Sequence, residues 1–437
     1  MRPAARIQAA IDLVALIEGG AEAGGVSTDE AIRSFFRQRR YAGAKDRRAI
    51  TTLALEVIRR RGPDGWRLGE AATPRTRVAL EVHAAPEIWG TLDTLFGGDD
   101  PHGPDALSAE ESTAVGKAWA CSLDGAPLHA RYGFPEFLTG ALVARFGDRL
   151  GEEMEALGQR AGLDIRVNSL KSDIAKVQQT IENAGIDAAR TLWSPLALRL
   201  PAGVRLEGLA PHDRGEMEVQ DEGSQVAALL TGAKPGEQVL DLCAGAGGKT
   251  LALAAMMQNK GQIFATDNDA KRLKPIHGRL QKAGVRNVQV FPLDAAGRER
   301  LAQLKGRMDL AVVDSPCSGS GTWRRDPALP WRLTGERLQA LTETQSALLA
   351  QGAEMLRPGG RLAYITCSII PDENENVIEK FLSDGSGWEL IPYRDIWTSA
   401  GAGPVAPTLS PDPRMLQMSP ATHGTDGFFV AVLKAPD

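Results

Sequence analysis

The stretch Asp241-Leu242-Cys243-Ala244-Gly245-Ala246-Gly247-Gly248-Lys249-Thr250 ends an apolar run, Gln238 to Cys243, and leads through glycines into a helical pattern from Thr250. Strand, glycine-rich turn and helix in that order let the backbone approach a ligand closely and aim helix N-terminal amides at it. The alternation continues downstream: Gln262 to Thr266 and a helix through Leu280, then Asn287 to Phe291, Leu310 to Val313 and Arg361 to Ile365. Such alternation predicts an α/β fold, Rossmann-like, with a parallel-sheet core and helices on both faces. Ligands of such sheets lie at the carboxyl ends of the strands, so the residues after each run are the first candidates for a site.

Two kinds of protein use such a turn. Its Gly-Lys-Thr ending imitates a P-loop, with Asp314 in place of the acid that follows in nucleotide hydrolases, but G-x-x-x-x-G-K-[ST] needs glycine where Cys243 stands. The second reading is a nucleoside cofactor whose ribose is held by an acid about 20 residues beyond the loop, where Asp267 closes the next run. Asp294 closes the third run and would face the adenine. Each aspartate alone could equally be a helix cap. Loop, Asp267 and Asp294 at three successive strand ends favour the nucleoside.

After the fourth run comes Asp314-Ser315-Pro316-Cys317-Ser318-Gly319-Ser320-Gly321-Thr322, and after the fifth Thr366-Cys367-Ser368. A lone cysteine is usually a small buried apolar group. Two at strand ends, beside an acid and a glycine-rich loop, point to nucleophilic chemistry. Cytosine C5 is too poor a nucleophile to be methylated directly. A thiolate adding to C6 activates C5 toward a sulfonium methyl, and an acid near N3, for which Asp314 is placed, stabilises the adduct. A base then removes the C5 proton so that the thiol can leave, which gives a second thiol something to do.

The runs CAGAGGKT (243–250), Asp267 with Lys271-Arg272-Leu273, Asp294, DSPCSGSGTWRRDP (314–327), TCSIIPDENENV (366–377) and DGFFVAVLK (426–434) together resemble the Sun/Fmu (RsmB-like) type of RNA cytosine-5 methyltransferases. The likeness runs from about Leu128 to the end and includes Arg166-Val167-Asn168-Ser169-Leu170-Lys171 and Gln220-Asp221-Glu222-Gly223-Ser224-Gln225. It implies a class I methyltransferase domain with S-adenosylmethionine as cofactor. Cys367 would be the nucleophile, Cys317 would assist release of methylated RNA, and Asp314 would contact the target base with Lys249 pointing toward it. By the same likeness Cys243, Ala244, Gly245, Ala246, Gly247, Gly248 and Lys249 wrap the cofactor, with Arg272 and Asp314 beside them, Asp267 on the ribose and Asp294 near the adenine. Gly245-Ala246 departs from the Ala-Pro common in the family and leaves the loop more flexible.

Outward from this core, residues 221–437 form the expected methyltransferase domain and 128–220 a small α/β module, helices Phe137 to Ala156 and Asp173 to Ala184 mixing with strands Asp164 to Val167 and Leu196 to Leu200. The module resembles the family's small RNA-contacting domain. Residues 1–127 are expected to be a helical domain plus linker. Ile7, Ala10, Ile11, Val14, Ile17 and Ile50, Leu53, Ala54, Val57, Ile58 recur at helical spacing, and the GGDDPHGPD region from Gly97 to Pro127 reads as an irregular connection. Residues 1–61 carry 12 Lys and Arg against 7 Asp and Glu, either a solvated face or a phosphate-binding one. Tyr41-Ala42-Gly43-Ala44-Lys45-Asp46-Arg47 looks like the NusB-like RNA-binding domain of some family members.

The chain's 437 residues suit two or three domains. Hydrophobic content of 43% with 24% charged residues fits a globular protein without a membrane span. Asp12 and Glu18 break any secretory pattern in the first twenty residues, so a cytoplasmic location is the default expectation. Cys121, Cys243, Cys317 and Cys367 are single and the six histidines scattered, so no metal is expected. A net charge of −5 excludes a uniformly basic coat but not a basic face. Expected is a monomer acting on RNA, ribosomal by preference and transfer RNA as alternative. A non-catalytic RNA-binding assembly factor and a DNA cytosine methyltransferase are the competing classes, the latter having no need of Cys367.

Overall fold

The computed structural model describes residues 1–22, 27–383, 387–401 and 403–437 and divides the chain into two compact units. Residues 23–26, inside the expected helical start, lie outside the described residues. The first unit is Met1–Val143 with Trp323–Gly335, the second Ala144–Thr322 with Glu336–Asp437.

The first unit is helical. Helices Pro3–Glu22, Ala44–Arg59 and Pro74–Ala84 bury Leu13, Val14, Ile17, Leu53, Ala54, Val57, Val78 and Leu80 in one core, as the apolar spacing requires. Trp323–Gly335 joins this unit although it is distant in sequence: Ala328 enters the core and Thr28 Oγ1 donates to Asp326 at 2.7 Å. The expected irregular connection from Gly97 to Pro127 contains the three-turn helix Ala109–Ala120. Its start is set by the capping box Ser108/Glu111, an S-x-x-E signal present in the sequence and outweighed there by the neighbouring glycines and prolines.

In the second unit β1 (Leu163–Val167), β2 (Ala189–Arg190), β3 (Ala197–Leu200) and β4 (Met217–Val219) form an antiparallel sheet in the order β2-β3-β1-β4. Ile165, Val167, Leu198, Leu200 and Met217 pack there with Val177 and Ile181 of the helix Ile174–Asn183. The single helix expected from Phe137 to Ala156 is broken at Gly147, whose φ of +52° no continuous helix accepts.

The large sheet contains β5 (Gln238–Asp241), β6 (Gln262–Asp267), β7 (Val288–Pro292), β8 (Met308–Asp314), β9 (Leu356–Thr366), β10 (Glu389–Ile391), β11 (Leu416–Gln417) and β12 (Phe429–Lys434), along the path β10-β12-β9-β8-β5-β6-β7 with β11 beside β12. Strands β5 to β9 are mutually parallel, as the βα alternation demands. The sheet is mixed, however. β12 pairs antiparallel with β9 and β10, and its residues Phe429 to Leu433 are all buried, so a strand buried on both faces closes what would be an exposed edge. The chain reverses direction across the sheet between β5 and β8, which places a crevice at their carboxyl ends.

Within this unit Arg145 and Glu375 form a buried bidentate ion pair, and Arg145 also donates to the carbonyls of Ile369 and Leu409. Removing one partner strands a charge in low dielectric. Arg145→Ala should cost about 3–5 kcal/mol in urea unfolding, and Arg145→Met with Glu375→Leu distinctly less. A loss below about 1 kcal/mol in the single variant would mean that solvent reaches the pair.

Candidate active site

The carboxyl ends of β5 to β9 bring the loops singled out in the sequence to one edge. After β5 the chain turns at Gly245 (φ +51°) and Gly247 (φ +84°), where a Cβ on Gly247 would lie 2.5 Å from Ile276 Cγ1. The turn is tied by Ala244 N–H to Thr266 O and Gly247 N–H to Ala244 O, both at 2.8 Å. The helix Gly248–Met256 starts with no side-chain cap, leaving first-turn amides to a ligand.

Asp267 ends β6 fully buried. Its Oδ2 accepts from Gly245 N–H at 3.1 Å and its Oδ1 from Asp269 N–H at 2.9 Å, and Arg272 stands 3.5 Å away. The carboxylate thus shapes the glycine loop from behind. Asp294 after β7 is exposed and caps the helix Ala295–Ala302 through Gly297 N–H at 2.9 Å. Cys243 is half-buried, and burial together with the charges of Asp314, Asp241 and Asp267 pushes its thiol well up, so it stays protonated.

Lys249, buried on the first turn of the helix, donates to Asp314 Oδ2 at 2.7 Å, reaches Ser224 Oγ at 3.5 Å and stands over the Phe428 ring at 5.2 Å. A buried ammonium needs such partners. Arg166 of β1, also buried, donates to Gly248 O at 3.0 Å and to the amide oxygen of Gln220, whose Nε2 donates to Ser224 Oγ at 3.1 Å. The small sheet thereby supports the start of the cofactor-type loop.

The two thiols meet: Cys317 Sγ lies 3.3 Å from Cys367 Sγ. Register explains it, because Asp314 of β8 faces Ile365 of β9, so each cysteine leaves its strand at the same level. Ser315 N–H to Ile365 O at 2.9 Å and Gly321 N–H to Cys367 O at 3.0 Å tie the loops together. Gly321 is required there, since a Cβ would fall 2.0 Å from Gly427 O. The hydrogen bond with Cys367, then burial, then nearby negative charge including Glu373 raise the Cys317 pKa. An acid–base pair, two adjacent thiols and a glycine loop with free amides can together bind a nucleoside cofactor and perform covalent catalysis on an electrophilic carbon. No group of acids, histidines and cysteines suited to a metal occurs among the described residues.

Several residues that build this site are not marked out by the sequence. Ser224 and Phe428 lie inside quoted motifs, yet their approach to Lys249 depends on long-range packing. Glu373 and Gln345 accept from or donate to the thiol loops; the polar run P-D-E-N-E directly after the second thiol motif is the available signal for the first.

The sequence profile described as 16S rRNA methyltransferase RsmB/F matches residues 228–434, and that of the RsmF/B-like ferredoxin-like domain matches residues 134–207. The chain is 35% identical over 314 residues to the probable ribosomal RNA small subunit methyltransferase B of Synechocystis, covering 70% of this chain and 68% of that protein. It is 31% identical over 326 residues to the 26S rRNA (cytosine-C(5))-methyltransferase nsun-1 of Caenorhabditis elegans, covering 70% of this chain but 47% of that relative, about half its length. The crystal structure of PH0851 matches 99% of both chains at 26% identity and a TM-score of 0.76.

Asp241, at the end of β5, is fully buried and accepts from Thr250 Oγ1 at 2.6 Å, while its Oδ1 has no partner among the described residues. Burial pushes its pKa up from 3.8 to about 7. A carboxyl held protonated by the fold contributes stability that is complete below its unfolded pKa and lost as the pH rises through the folded one. Between about pH 4 and pH 7 the wild type should therefore lose stability relative to Asp241→Asn. Parallel urea curves for the two proteins across that range would contradict the shift.

Proposed function

The chain belongs to the RsmB/F family of 16S rRNA methyltransferases, and on that premise we propose that it methylates C5 of a cytosine in small-subunit ribosomal RNA, using S-adenosylmethionine. The observation that carries the chemistry is the 3.3 Å pair of Cys317 and Cys367 at neighbouring strand ends, beside the Lys249–Asp314 pair. The family likeness supports the cofactor, and the β5 loop suits it, with glycines at positive φ, uncapped helix amides for a carboxylate and Asp267 behind the turn. When bound, this cofactor supplies an electrophilic methyl group.

In this reading Cys367 as thiolate forms a bond to C6 of the cytosine, and its electron pair moves through the ring toward C5 and N3. Cys317 Sγ lies 3.3 Å from that sulfur, close enough to share a proton with it. The Lys249–Asp314 pair contacts the base edge, the acid–ammonium couple supplying the proton that N3 needs as charge develops. Once the Cys367 sulfur is bonded to carbon, its contribution to raising the Cys317 pKa is gone. Cys317 can then give its proton to solvent water and, as thiolate, take the one on C5; the C5–H electron pair forms the C5–C6 double bond, the Cys367–C6 bond breaks, and its electrons return to Cys367.

In the first unit Arg39 pairs with Asp12 at 3.0 Å and Arg60 with Asp64 at 3.2 Å, whereas Arg37, Arg40, Lys45, Arg47, Arg48 and Tyr41 are exposed. We assign that exposed group to RNA phosphates. The cytosine modified is identified by bisulfite sequencing of RNA from cells with and without the protein. Loss of a 16S rRNA signal supports the proposed substrate; loss of a transfer RNA signal alone redirects it.

The mechanism gives the thiols opposite failures. Cys367→Ala should abolish methylation and leave RNA unattached, whereas Cys317→Ala should methylate once and accumulate protein covalently bound to RNA on a denaturing gel. The reverse pattern would exchange the roles, and normal methylation by both would end the thiol mechanism. Asp267→Ala should weaken cofactor binding by roughly 1.5–3 kcal/mol for each charge-assisted hydrogen bond lost, read by calorimetry. Unchanged affinity there rules out Asp267 as a ribose ligand.

A further inference from the structure

We propose that Glu373 is a positioning residue whose carboxylate holds the two thiol-bearing loops at bonding distance from each other. Glu373 sits in the short turn Pro371–Glu373 after β9, fully buried. Its Oε1 accepts from Ser318 N–H at 2.7 Å and Gln345 Nε2 at 3.0 Å; its Oε2 accepts from the hydroxyls of Ser318 and Ser368, the latter at 2.6 Å. Ser318 directly follows Cys317 and Ser368 directly follows Cys367. One carboxylate therefore bridges the residues next to both sulfurs.

The surroundings close the bridge. Gln345 also donates to Pro316 O at 3.0 Å, so Cys317 is held from the residue before it as well as the one after. Ser368 Oγ lies 2.9 Å from Ser320 Oγ and accepts from Ile370 N–H at 3.0 Å, while Tyr364 OH donates to the Glu373 carbonyl at 2.6 Å and fixes the turn. A buried carboxyl group surrounded by neutral donors persists where an acceptor with two oxygens is needed to satisfy several converging donors. Here the donors come from two loops fifty residues apart in sequence, and the carboxylate is the acceptor common to both.

Chemistry and reach separate in substitution. Glutamine keeps the length and can accept from Ser318 N–H and Gln345 while its amide donates to the two hydroxyls, which turn to accept. Aspartate keeps the charge but is one methylene short of spanning both loops. Alanine keeps neither. Positioning thus predicts the order wild type, then Gln, then Asp and Ala; a role for the charge predicts Asp above Gln.

The kinetic half of the test rests on the methyltransferase reading; the other half does not. In the full-length protein, phenylarsine oxide should bridge Cys317 and Cys367, two As–S bonds forming with loss of one water. Capture should vanish in Cys317→Ser, stay near wild type in Glu373→Gln and fall at least about tenfold in Glu373→Ala, since a misplacement near 1 Å costs on the order of 10²-fold at reacting atoms. With RNA and S-adenosylmethionine, kcat should follow the same order while KM for RNA and cofactor affinity stay within about threefold. Cofactor binding and a thermal melt report folding; if the alanine variant does not fold, the comparison of Gln with Asp decides. Unchanged arsenical capture in Glu373→Ala, or Asp above Gln in both assays, overturns the proposal. A wild type that captures the arsenical but methylates no RNA removes the methyltransferase reading, and arsenical capture alone then judges Glu373.

Discussion

Asp314 and Ile365 stand opposite each other in a parallel ladder, and the candidate chemistry depends on that register. A parallel pair directs both carboxyl ends to one edge, so the loops after β8 and β9 emerge side by side. Three residues beyond Asp314 and two beyond Ile365 are the two sulfurs. A slip of one residue would turn every side chain of the strand to the other face and carry one cysteine away from its partner. β12 guards the register from the far side of β9, pairing Phe429 with Thr366 through to Lys434 with Arg361.

Around this frame the polar groups of the interior are paid for by mutual satisfaction. Arg145 joins Glu375 and the carbonyls of Ile369 and Leu409, Asn374 joins Thr366, Gln417 and Ser368 O, and Glu373 gathers the two serines. In low dielectric each such bond is strong and each lost partner costly, so the network fixes a unique loop geometry in a way apolar packing does not. Lys249, Asp314 and Ser224 belong to a second network, anchored by Arg166 and Gln220 of the small sheet region. The two meet at the loop that starts with Asp314.

The helical unit follows a different logic. Its core is apolar and its basic clusters are divided: arginines such as Arg39 and Arg60 are spent on internal acids, while those around Tyr41 face solvent. A count of charges along the chain merges these two populations, because it carries no information on which acid folds back onto which base. The composition imbalance in the first 61 residues is therefore a poor measure of the charge available to a polyanion, and burial divides it.

The sequence by itself determined the alternation of strands and helices, the glycine loop after β5, and the presence of thiols and acids directly after strands. These are local properties: periodicity, turn chemistry and the backbone freedom of single residues act within a few positions of each other. Only the tertiary structure decided which of those residues meet. That Cys317 and Cys367 come within 3.3 Å, that Asp267 is buried behind the glycine turn, that Trp323–Gly335 belongs to the helical unit, and that Glu373 bridges two loops all follow from non-local pairing. Strand order and register are set by the burial of whole faces, a sum over residues far apart in the chain that no window of the sequence contains.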